Sequence, residues 1–387
     1  MRPFRGASAE SSAVASGRMR SPQPIQSGRT AGKSLKACVT APREGRLMPE
    51  GRASAACPKI ELHVHLEATV RPELLLAIAR RNGVELPAST VEDLRRFYRC
   101  DSFEQFISRW IATSRALCRP DDFREVVVDY AGRVREQGCV YIEAICSPTE
   151  PVLRGSSWEE VFEGYCDGAA EARERHGVEV RLTPDVTRDF PAALANRLAR
   201  WAVKYRERGV VALSLGGSER RHAPQKFRKA FAIAREGGLG SAPHAGELAG
   251  GKAGAASIRG ALDVLHADRI RHGIRAVDDP ALLAELAERG IVCDVTPVSN
   301  LLTGAVPSLD EHPLPAMLAA GVRCSISTDD PVLMDTDLSE NCAVAERLGH
   351  TPRAMYFDAL HGALCDAATK AKLRRIGAAY AWEDAPG

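Results

Sequence analysis

From residue 57 onward the sequence alternates short β-type runs with longer helical runs, and this alternation restricts the possible folds more than any other feature. The β-type runs span residues 59–66, 139–147, 178–185, 210–216, 239–245, 269–274, 291–297 and 322–328. Repeated units of strand followed by helix predict a parallel sheet with helices packed on it. Eight such units favour an α/β fold of the (β/α)8 TIM-barrel type over an open sheet.

Helical runs lie between these strands and also beyond them. Those between the later strands span residues 158–175, 190–208, 224–236, 255–266, 279–289 and 313–320. Three more, at 72–83, 103–117 and 121–137, fill the long gap after the first strand, and two helical hairpins at 337–348 and 353–381 follow the eighth. We therefore expect a barrel with extra helices after strand 1 and at the C-terminus.

Residues 1–57 differ in composition from the rest of the chain. They are rich in Ser, Gly, Ala, Pro and Arg, and residues 1–47 alone carry a net charge of +7. Such a segment buries too little apolar surface to offset the entropy lost on ordering. The sequence predicts a disordered basic tail or an upstream extension at 1–57, followed by one domain at 58–387.

Bulk properties restrict the environment and the partners. The net charge of the whole chain is +2, so residues 48–387 carry −5 and offer no basic footprint for nucleic acid. No apolar run reaches the ~18–20 residues of a membrane span. The 11 cysteines are scattered without a CxxC pair, which indicates a reducing, cytoplasmic compartment. The sequence leaves the oligomeric state open.

The first β-type run carries two histidines in alternating positions, His63 and His65. In a strand, residues i and i+2 point to the same face, so both imidazoles are predicted to point together. Two neutral imidazoles directed at one point can bind a metal ion. A pair of this kind is a weak signal by itself, and its interpretation depends on what the other strands supply.

Residues of metal-binding and acid–base type recur at the ends of later strands. His244, His272 and Asp329 lie near the ends of strands five, six and eight, and Glu247 and Asp330 follow closely. The C-terminal ends of the strands form the catalytic face of a TIM barrel, so these side chains are expected to converge. The predicted ligands of a zinc-type ion are His63, His65, His244 and Asp329.

Such an ion lowers the pKa of a bound water from 15.7 towards about 7, which predicts hydrolytic attack on an electron-poor carbon. His272 is the candidate for orienting or deprotonating that water, and Glu247 for protonating a ring nitrogen of the substrate. Asp330 can face a substrate nitrogen or the water where the chain turns at the strand end. The structural alternatives are a hydrogen-bonded core histidine for His272 and a solvent-facing helix residue for Glu247.

These motifs, in this order, resemble the adenosine deaminase family of zinc-dependent purine deaminases. The resemblance covers nearly all of residues 58–383. The matching segments are His63-Val-His65-Leu-Glu67, Leu215-Gly-Gly217-Ser-Glu219, His244-Ala-Gly-Glu247, His272-Gly273 and Ser327-Thr-Asp-Asp330-Pro331. The resemblance implies one zinc ion per chain, held by the four predicted ligands.

The resemblance also implies catalytic roles. Glu247 is expected to donate a proton to purine N1, and His272 to act on the metal-bound water. Asp330 is expected to contact that water or purine N7.

The residues expected to contact the substrate are His65, Glu67, Gly217 and Asp330. Gly217 is similar to the backbone contact to purine N3, and Glu67 to the acidic residue that faces the sugar or its replacement. The family often has Asp and Gly after the second histidine, where this chain has Glu67 and Ala68.

The leading functional expectation is hydrolytic deamination of adenosine to inosine and ammonia. The first alternative is the same chemistry on 6-aminodeoxyfutalosine or adenine. A non-catalytic ligand-binding relative is a distant alternative, because no metal ligand or acid is missing. A two-metal hydrolase of cyclic amides lacks a plausible bridging lysine, since Lys204 and Lys226 lie in helical runs.

Overall fold

The computed structural model describes residues 57–99 and 103–382, and in them eight strands form a parallel sheet in sequence order. The strands are β1 (Lys59–His65), β2 (Cys139–Cys146), β3 (Glu179–Thr187), β4 (Ala212–Gly216), β5 (Gly240–Ala245), β6 (Arg269–His272), β7 (Val292–Val295) and β8 (Cys324–Ile326). A parallel bridge between Val64 and Asp329 joins the segment after β8 to β1. The expected (β/α)8 TIM-type barrel is confirmed.

Helices follow the strands and cover the outside of the sheet. They are α1 (Pro72–Asn82), α2 (Val91–Tyr98), α3 (Phe103–Ala116), α4 (Pro120–Glu136), α5 (Thr149–Leu153), α6 (Trp158–His176), α7 (Ala192–Lys204), α8 (Arg228–Glu236), α9 (Lys252–Val264), α10 (Pro280–Glu288), α11 (Pro297–Leu302), α12 (Leu314–Ala319), α13 (Leu338–Arg347), α14 (Pro352–Gly362) and α15 (Ala367–Ala379). None of these described helices has the length and apolarity that a membrane crossing requires.

The extra helices after β1 and at the C-terminus are present, with differences in detail. The predicted run 353–381 is divided into α14 and α15, because the side chain of Asp366 caps the second helix by accepting the N–H of Thr369. The short helices α2, α5 and α11 were not predicted. The predicted tail at 1–57 lies outside the described residues apart from Cys57.

The interior of the barrel contains a buried charged layer. The guanidinium of Arg269 donates to Oε2 of Glu143 at 2.7 Å and to Oδ2 of Asp294 at 2.6 Å, and all three side chains are fully buried. Burial of a charge is costly unless the charge is paired and hydrogen-bonded. These contacts join β6, β2 and β7 beneath the catalytic face.

Candidate active site

Two backbone hydrogen bonds fix Asp329 beside β1. The N–H of Asp329 donates to the carbonyl oxygen of His63 at 3.0 Å, and the N–H of His65 donates to the carbonyl oxygen of Asp329 at 2.8 Å. Asp329 has a φ of 67°, a left-handed conformation that few residues other than glycine adopt. The barrel closure therefore places this carboxylate beside the two imidazoles of β1.

Four potential metal donors converge at this point, one each from His63, His65, His244 and Asp329, within 4.8 Å of one another. Nε2 of His244 lies 3.1 Å from Nε2 of His63 and 3.3 Å from Nε2 of His65. Oδ1 of Asp329 lies 3.1 and 3.4 Å from the same two nitrogens. Zinc with bonds of about 2.0–2.1 Å in a tetrahedron separates its ligand atoms by about 3.3 Å. The spacing of the four donors fits such an ion.

The outer nitrogens of two of these rings face backbone carbonyls. Nδ1 of His244 lies 3.1 Å from the carbonyl oxygen of Leu215, and Nδ1 of His63 lies 3.4 Å from that of Asp294. A carbonyl only accepts, so each Nδ1 carries the proton and each Nε2 keeps its lone pair. These lone pairs face each other with no proton between them. A bound cation would remove that repulsion, which is a second reason why the donor set fits a metal.

The protonation states of these residues also suit a metal. Burial lowers the pKa of His63 to about 3 and that of His65 to about 4. Burial alone would raise the pKa of Asp329, but the hydrogen bond with His63 and the charge that His63 or His272 carries when protonated lower it well below its usual value. Neutral imidazoles and an ionised carboxylate are the forms that bind divalent cations.

Glu247 lies on the turn after β5, close to the imidazole of His272. Oε2 of Glu247 is 3.5 Å from Nε2 of His272. Burial, together with the charges of Asp329 and Glu219, raises the pKa of Glu247 well above its usual value. A carboxyl group whose pKa is raised in this way is suited to the role of a general acid.

The turn that carries Glu247 is held by two adjacent residues of the loop after β4. The carboxylate of Glu219 accepts hydrogen bonds from the four consecutive backbone N–H groups of residues 246–249. Arg220 donates from Nε and Nη2 to the carbonyl oxygen of Leu248 at 2.9 and 2.6 Å. The loop after β4 thus accepts hydrogen bonds from backbone N–H groups of the turn and donates to one of its carbonyl oxygens.

His272 is the last residue of β6, has a φ of 61° and packs against the four potential metal donors. Its ring centroid lies 4.7 Å from that of His63. Its Nδ1 lies 3.2 Å from Oγ1 of Thr296 and 3.2 Å from Nδ2 of Asn300. Burial lowers the pKa of His272, so the ring is neutral near pH 7.

Asp330 is buried directly after Asp329 and hydrogen-bonds to it. Burial and the charges of Asp329 and Glu247 raise the pKa of Asp330 well above its usual value. The pKa values of these two adjacent carboxyl groups are therefore shifted in opposite directions, and Asp330 is the one of the two that holds a proton more readily.

Glu67 lies in a single 3₁₀ turn directly after β1 and is only 3% exposed. Its Oε1 accepts from the backbone N–H of Ser147 at 2.7 Å and from the hydroxyl of Tyr165 at 2.9 Å. Its Oε2 is buried without a partner. Burial raises the pKa of this carboxyl to about 7. One oxygen is thus fixed by protein groups, and the other has no hydrogen-bond partner in the described part of the protein.

Gly217 follows β4, the strand that neighbours β5 and its His244. It has a φ of 88°. A Cβ here would lie 2.8 Å from Oδ2 of Asp189 and 3.2 Å from the backbone nitrogen of Arg188. The conformation therefore favours glycine, and a larger residue would also have to displace the carboxylate of Asp189.

Sequence reasoning missed two residues of α11 that contact the site. Oγ of Ser299 donates to Oδ2 of Asp329 at 2.6 Å, and the amide of Asn300 faces His272. The signal that could have found them is a polar Ser-Asn pair just after the end of β7, on the catalytic face. The role of Glu219 in holding the Glu247 turn was also missed.

The sequence that builds this site matches a known protein family. Residues 58–376 match the family model described as adenosine deaminase. The chain belongs to the adenosine deaminase family. It is accordingly an amidohydrolase-type enzyme that catalyses hydrolytic deamination. The resemblance seen in the sequence is confirmed.

Individual members of the adenosine deaminase family differ in their substrates. The chain is 51% identical over 330 residues to the aminodeoxyfutalosine deaminase of Acidothermus cellulolyticus, which covers 84% of this chain and 93% of that protein. It is 37% identical over 295 residues to the adenine deaminase of Streptomyces coelicolor, covering 76% and 85%. An amidohydrolase from Burkholderia ambifaria, solved with bound Zn, has a TM-score of 0.78 at 28% identity, covering 88% and 96%.

Proposed function

We propose that this enzyme hydrolyses the 6-amino group of a purine whose N9 substituent is that of 6-aminodeoxyfutalosine. The observation that carries the proposal is the 51% identity to an aminodeoxyfutalosine deaminase over 93% of that protein. Adenosine was the leading expectation from the sequence, but the relatives from Acidothermus cellulolyticus and Streptomyces coelicolor are named for aminodeoxyfutalosine and adenine. The relatives therefore favour what the sequence offered as the first alternative.

We also propose that the metal is zinc, one ion per chain, bound by His63, His65, His244 and Asp329. The donor spacing and the convergent lone pairs support a divalent ion, and the relative from Burkholderia ambifaria was solved with Zn. When bound, such an ion lowers the pKa of a coordinated water and supplies a nucleophile near neutral pH.

The residues around the four metal donors transfer protons and orient the water and the purine. The oxygen of water adds to C6 as Glu247 gives its proton to N1, and one proton of the water passes to the Glu247 carboxylate and restores the acid. The remaining proton of the water moves from the new hydroxyl to the exocyclic amine, which leaves C6 as ammonia, and the 6-oxo purine remains. His272 and Asp330 lie where they can orient the water and a purine nitrogen. The backbone of Gly217 would contact N3.

Two further side chains, those of Glu67 and His65, are proposed to contact the substrate. The unpartnered Oε2 of Glu67 can accept a hydrogen bond from a hydroxyl of the N9 substituent. His65 is partly exposed at the mouth of the donor set and would lie against the bound purine. Both assignments follow the family resemblance.

The second candidate is deamination of adenine itself, which the similarity to the Streptomyces coelicolor adenine deaminase favours. It makes a different demand on the site, because a free base offers no hydroxyl to Glu67. A substrate comparison separates the two candidates directly.

The deciding experiment follows the loss of 6-aminopurine absorbance and the release of ammonia by the full-length protein. The substrates are 6-aminodeoxyfutalosine, adenosine, 2′-deoxyadenosine and adenine, and the control is the Glu247→Gln variant. We expect the highest kcat/KM for 6-aminodeoxyfutalosine. A highest value for adenine would support the second candidate, and no turnover of any of the four would refute deamination of 6-aminopurines.

The metal proposal needs its own measurement. Elemental analysis of the purified protein should find about one equivalent of zinc, and dialysis against a chelator should abolish activity until zinc is added back. Full activity of a metal-free preparation would contradict it.

The remaining proposals concern the segment needed for activity, the partner and the compartment of the enzyme. We propose that residues 58–387 suffice for activity, that the partner is a small purine and that the enzyme is cytoplasmic. A chain starting at Met48 that lacks activity, while the full chain is active, would contradict the first of these.

A further inference from the structure

A chain of hydrogen bonds runs from the start of α12 to the imidazole of His272. The backbone N–H of Leu314 lies 3.0 Å from Nδ1 of His312. Nε2 of His312 lies 3.2 Å from Oδ1 of Asn300, and Nδ2 of Asn300 lies 3.2 Å from Nδ1 of His272. His312, Asn300 and His272 are all at most 4% exposed, so water does not compete at these contacts.

The direction of the chain is fixed at its first member. A backbone N–H can only donate, so Nδ1 of His312 must accept and its ring proton must lie on Nε2. That proton is donated to Asn300, whose amide oxygen therefore faces His312. The amide nitrogen of Asn300 then faces His272 and must donate to it.

Each alternative arrangement leaves two donors or two acceptors in contact. If Asn300 were turned over, its amide nitrogen would meet the protonated Nε2 of His312, and a buried pair of that kind is costly. A second proton on His312 is also excluded, because burial lowers its pKa to about 4. The hydroxyl of Thr296 rotates freely and can donate to the same Nδ1 of His272.

We propose that Asn300 and His312 are positioning residues that fix the tautomer of His272, with the proton on Nε2 and the lone pair on Nδ1. The neutral imidazole of His272 then presents an N–H to the catalytic face. Nε2 of His272 lies 3.5 Å from Oε2 of Glu247 and 3.8 Å from Oδ2 of Asp329. A ring in this state can orient an attacking water by donating to it, but it cannot take a proton from that water at Nε2.

This assignment chooses between the two roles that the sequence left open for His272. The choice of orienting over deprotonating rests on the proposed function, because it concerns the water of a hydrolytic deamination. The tautomer itself does not depend on the substrate and can be measured without one. The two parts of the proposal can therefore fail separately.

The tautomer is tested by long-range ¹H–¹⁵N correlation spectra of the full-length, metal-loaded protein labelled with ¹⁵N-histidine. The signals of His272 are those that disappear in the His272→Asn variant. We expect a protonated Nε2 and an unprotonated Nδ1 near pH 7. The reverse pattern in the parent protein would overturn the proposal.

Substitution of Asn300 tests the consequence for turnover. Asn300→Asp replaces the donor facing His272 by an acceptor, so Nδ1 of His272 should become protonated. We expect kcat to fall at least about tenfold with the metal content and KM unchanged, since a wrong histidine tautomer can cost several orders of magnitude in kcat. A changed tautomer with an unchanged kcat would show that the relay has no part in the reaction.

Substitutions of His312 keep the test independent of the folding of the Asn300 variant. His312→Gln retains a side-chain N–H for Oδ1 of Asn300 and should keep both the tautomer and a kcat within about threefold of the parent. His312→Leu removes that donor and should lose both. The matched control is His350→Leu, another buried histidine, whose Nε2 bonds to the carbonyl oxygen of Cys324 away from this relay. Equal loss of kcat in His312→Gln and His312→Leu would also count against the proposal.

If the parent enzyme deaminated none of the four purines, the proposed function would fall while the spectra still decided the tautomer. If it deaminated 6-aminodeoxyfutalosine best with His272 protonated on Nδ1, the proposed function would stand and the proposed role of Asn300 and His312 would fall.

Discussion

The carboxylate of Glu219 binds the backbone of Glu247: Oε2 of Glu219 accepts the N–H of Glu247 at 3.2 Å and the next two N–H groups at 3.1 and 3.2 Å. The two residues belong to the loops after β4 and β5. Because the same β4 loop contains Gly217, the segment expected to contact the purine also holds the turn that carries the acid.

Replacing Glu219 by Gln should lower kcat by about tenfold or more. The amide keeps the size of the side chain but turns one acceptor into a donor, which then faces backbone N–H groups of the turn. Steady-state kinetics together with metal analysis would measure the effect. The control is Asp278→Asn, which makes the same carboxylate-to-amide change at the residue that accepts the Gly251 N–H on the same loop. Equal losses in both variants would show that Glu219 only stabilises the loop.

Glu247→Gln should fold and bind metal as the parent does, but its turnover should fall by about 10²–10⁴-fold. The amide preserves the shape of the side chain and removes the proton that the high pKa of Glu247 keeps available. Stopped-flow or steady-state assays of kcat, with metal content measured on the same sample, test this. A variant within threefold of the parent would remove Glu247 from the role of general acid.

Ser299→Ala should weaken metal binding by about 10–100-fold, the usual cost of losing a group that orients a metal ligand. The hydroxyl of Ser299 donates to Oδ2 of Asp329 at 2.6 Å and leaves Oδ1 directed at the imidazoles. Titration with a competing chelator measures the affinity. Ser308→Ala is the control, because the hydroxyl of Ser308 donates to Oε1 of Glu311 and contacts none of the four metal ligands. Unchanged affinity in Ser299→Ala would mean that the backbone alone fixes Asp329.

The barrel and the donor set could be predicted from the sequence because both depend on local patterns. The alternation of His63 and His65 in a strand determines the side on which they point. The C-terminal ends of parallel strands meet at one face, so the positions of His244 and Asp329 follow from strand order. These inferences need the fold class and the strand ends, and no contact between distant side chains.

The groups that orient the site could not be predicted in this way. Asn300 lies on a helix of six residues after β7, and its partners His272 and His312 belong to other segments of the chain. Glu219 was visible as part of a motif, but its bonds to residues 246–249 depend on how two loops pack. Contacts of this kind are set by tertiary structure, so only coordinates reveal them.

Arg269→Met should reduce the free energy of unfolding by about 3–5 kcal/mol, because it leaves the carboxylates of Glu143 and Asp294 buried without their cation. Denaturant unfolding of the metal-loaded protein measures this change. The matched control is Arg289→Met, which removes an exposed pair with Glu285 and should cost no more than about 1 kcal/mol. Similar values for the two variants would show that the buried layer contributes little to stability.

The last prediction concerns the oxygen of Glu67 that has no partner. In Glu67→Gln, the amide oxygen can still accept from Ser147 and Tyr165, so the amide nitrogen takes the place of Oε2 and presents a donor to the site. We expect KM for 6-aminodeoxyfutalosine to rise about 10–100-fold, the usual value of a hydrogen bond to a charged group, with the metal content unchanged. Adenine, if it is turned over, should keep its KM, because it has no hydroxyl to lose. Tyr165→Phe is the control, since it removes one bond to Oε1 and leaves Oε2 as it is. Equal rises in KM for both substrates would show that Glu67 maintains the structure of the site and does not bind the N9 substituent.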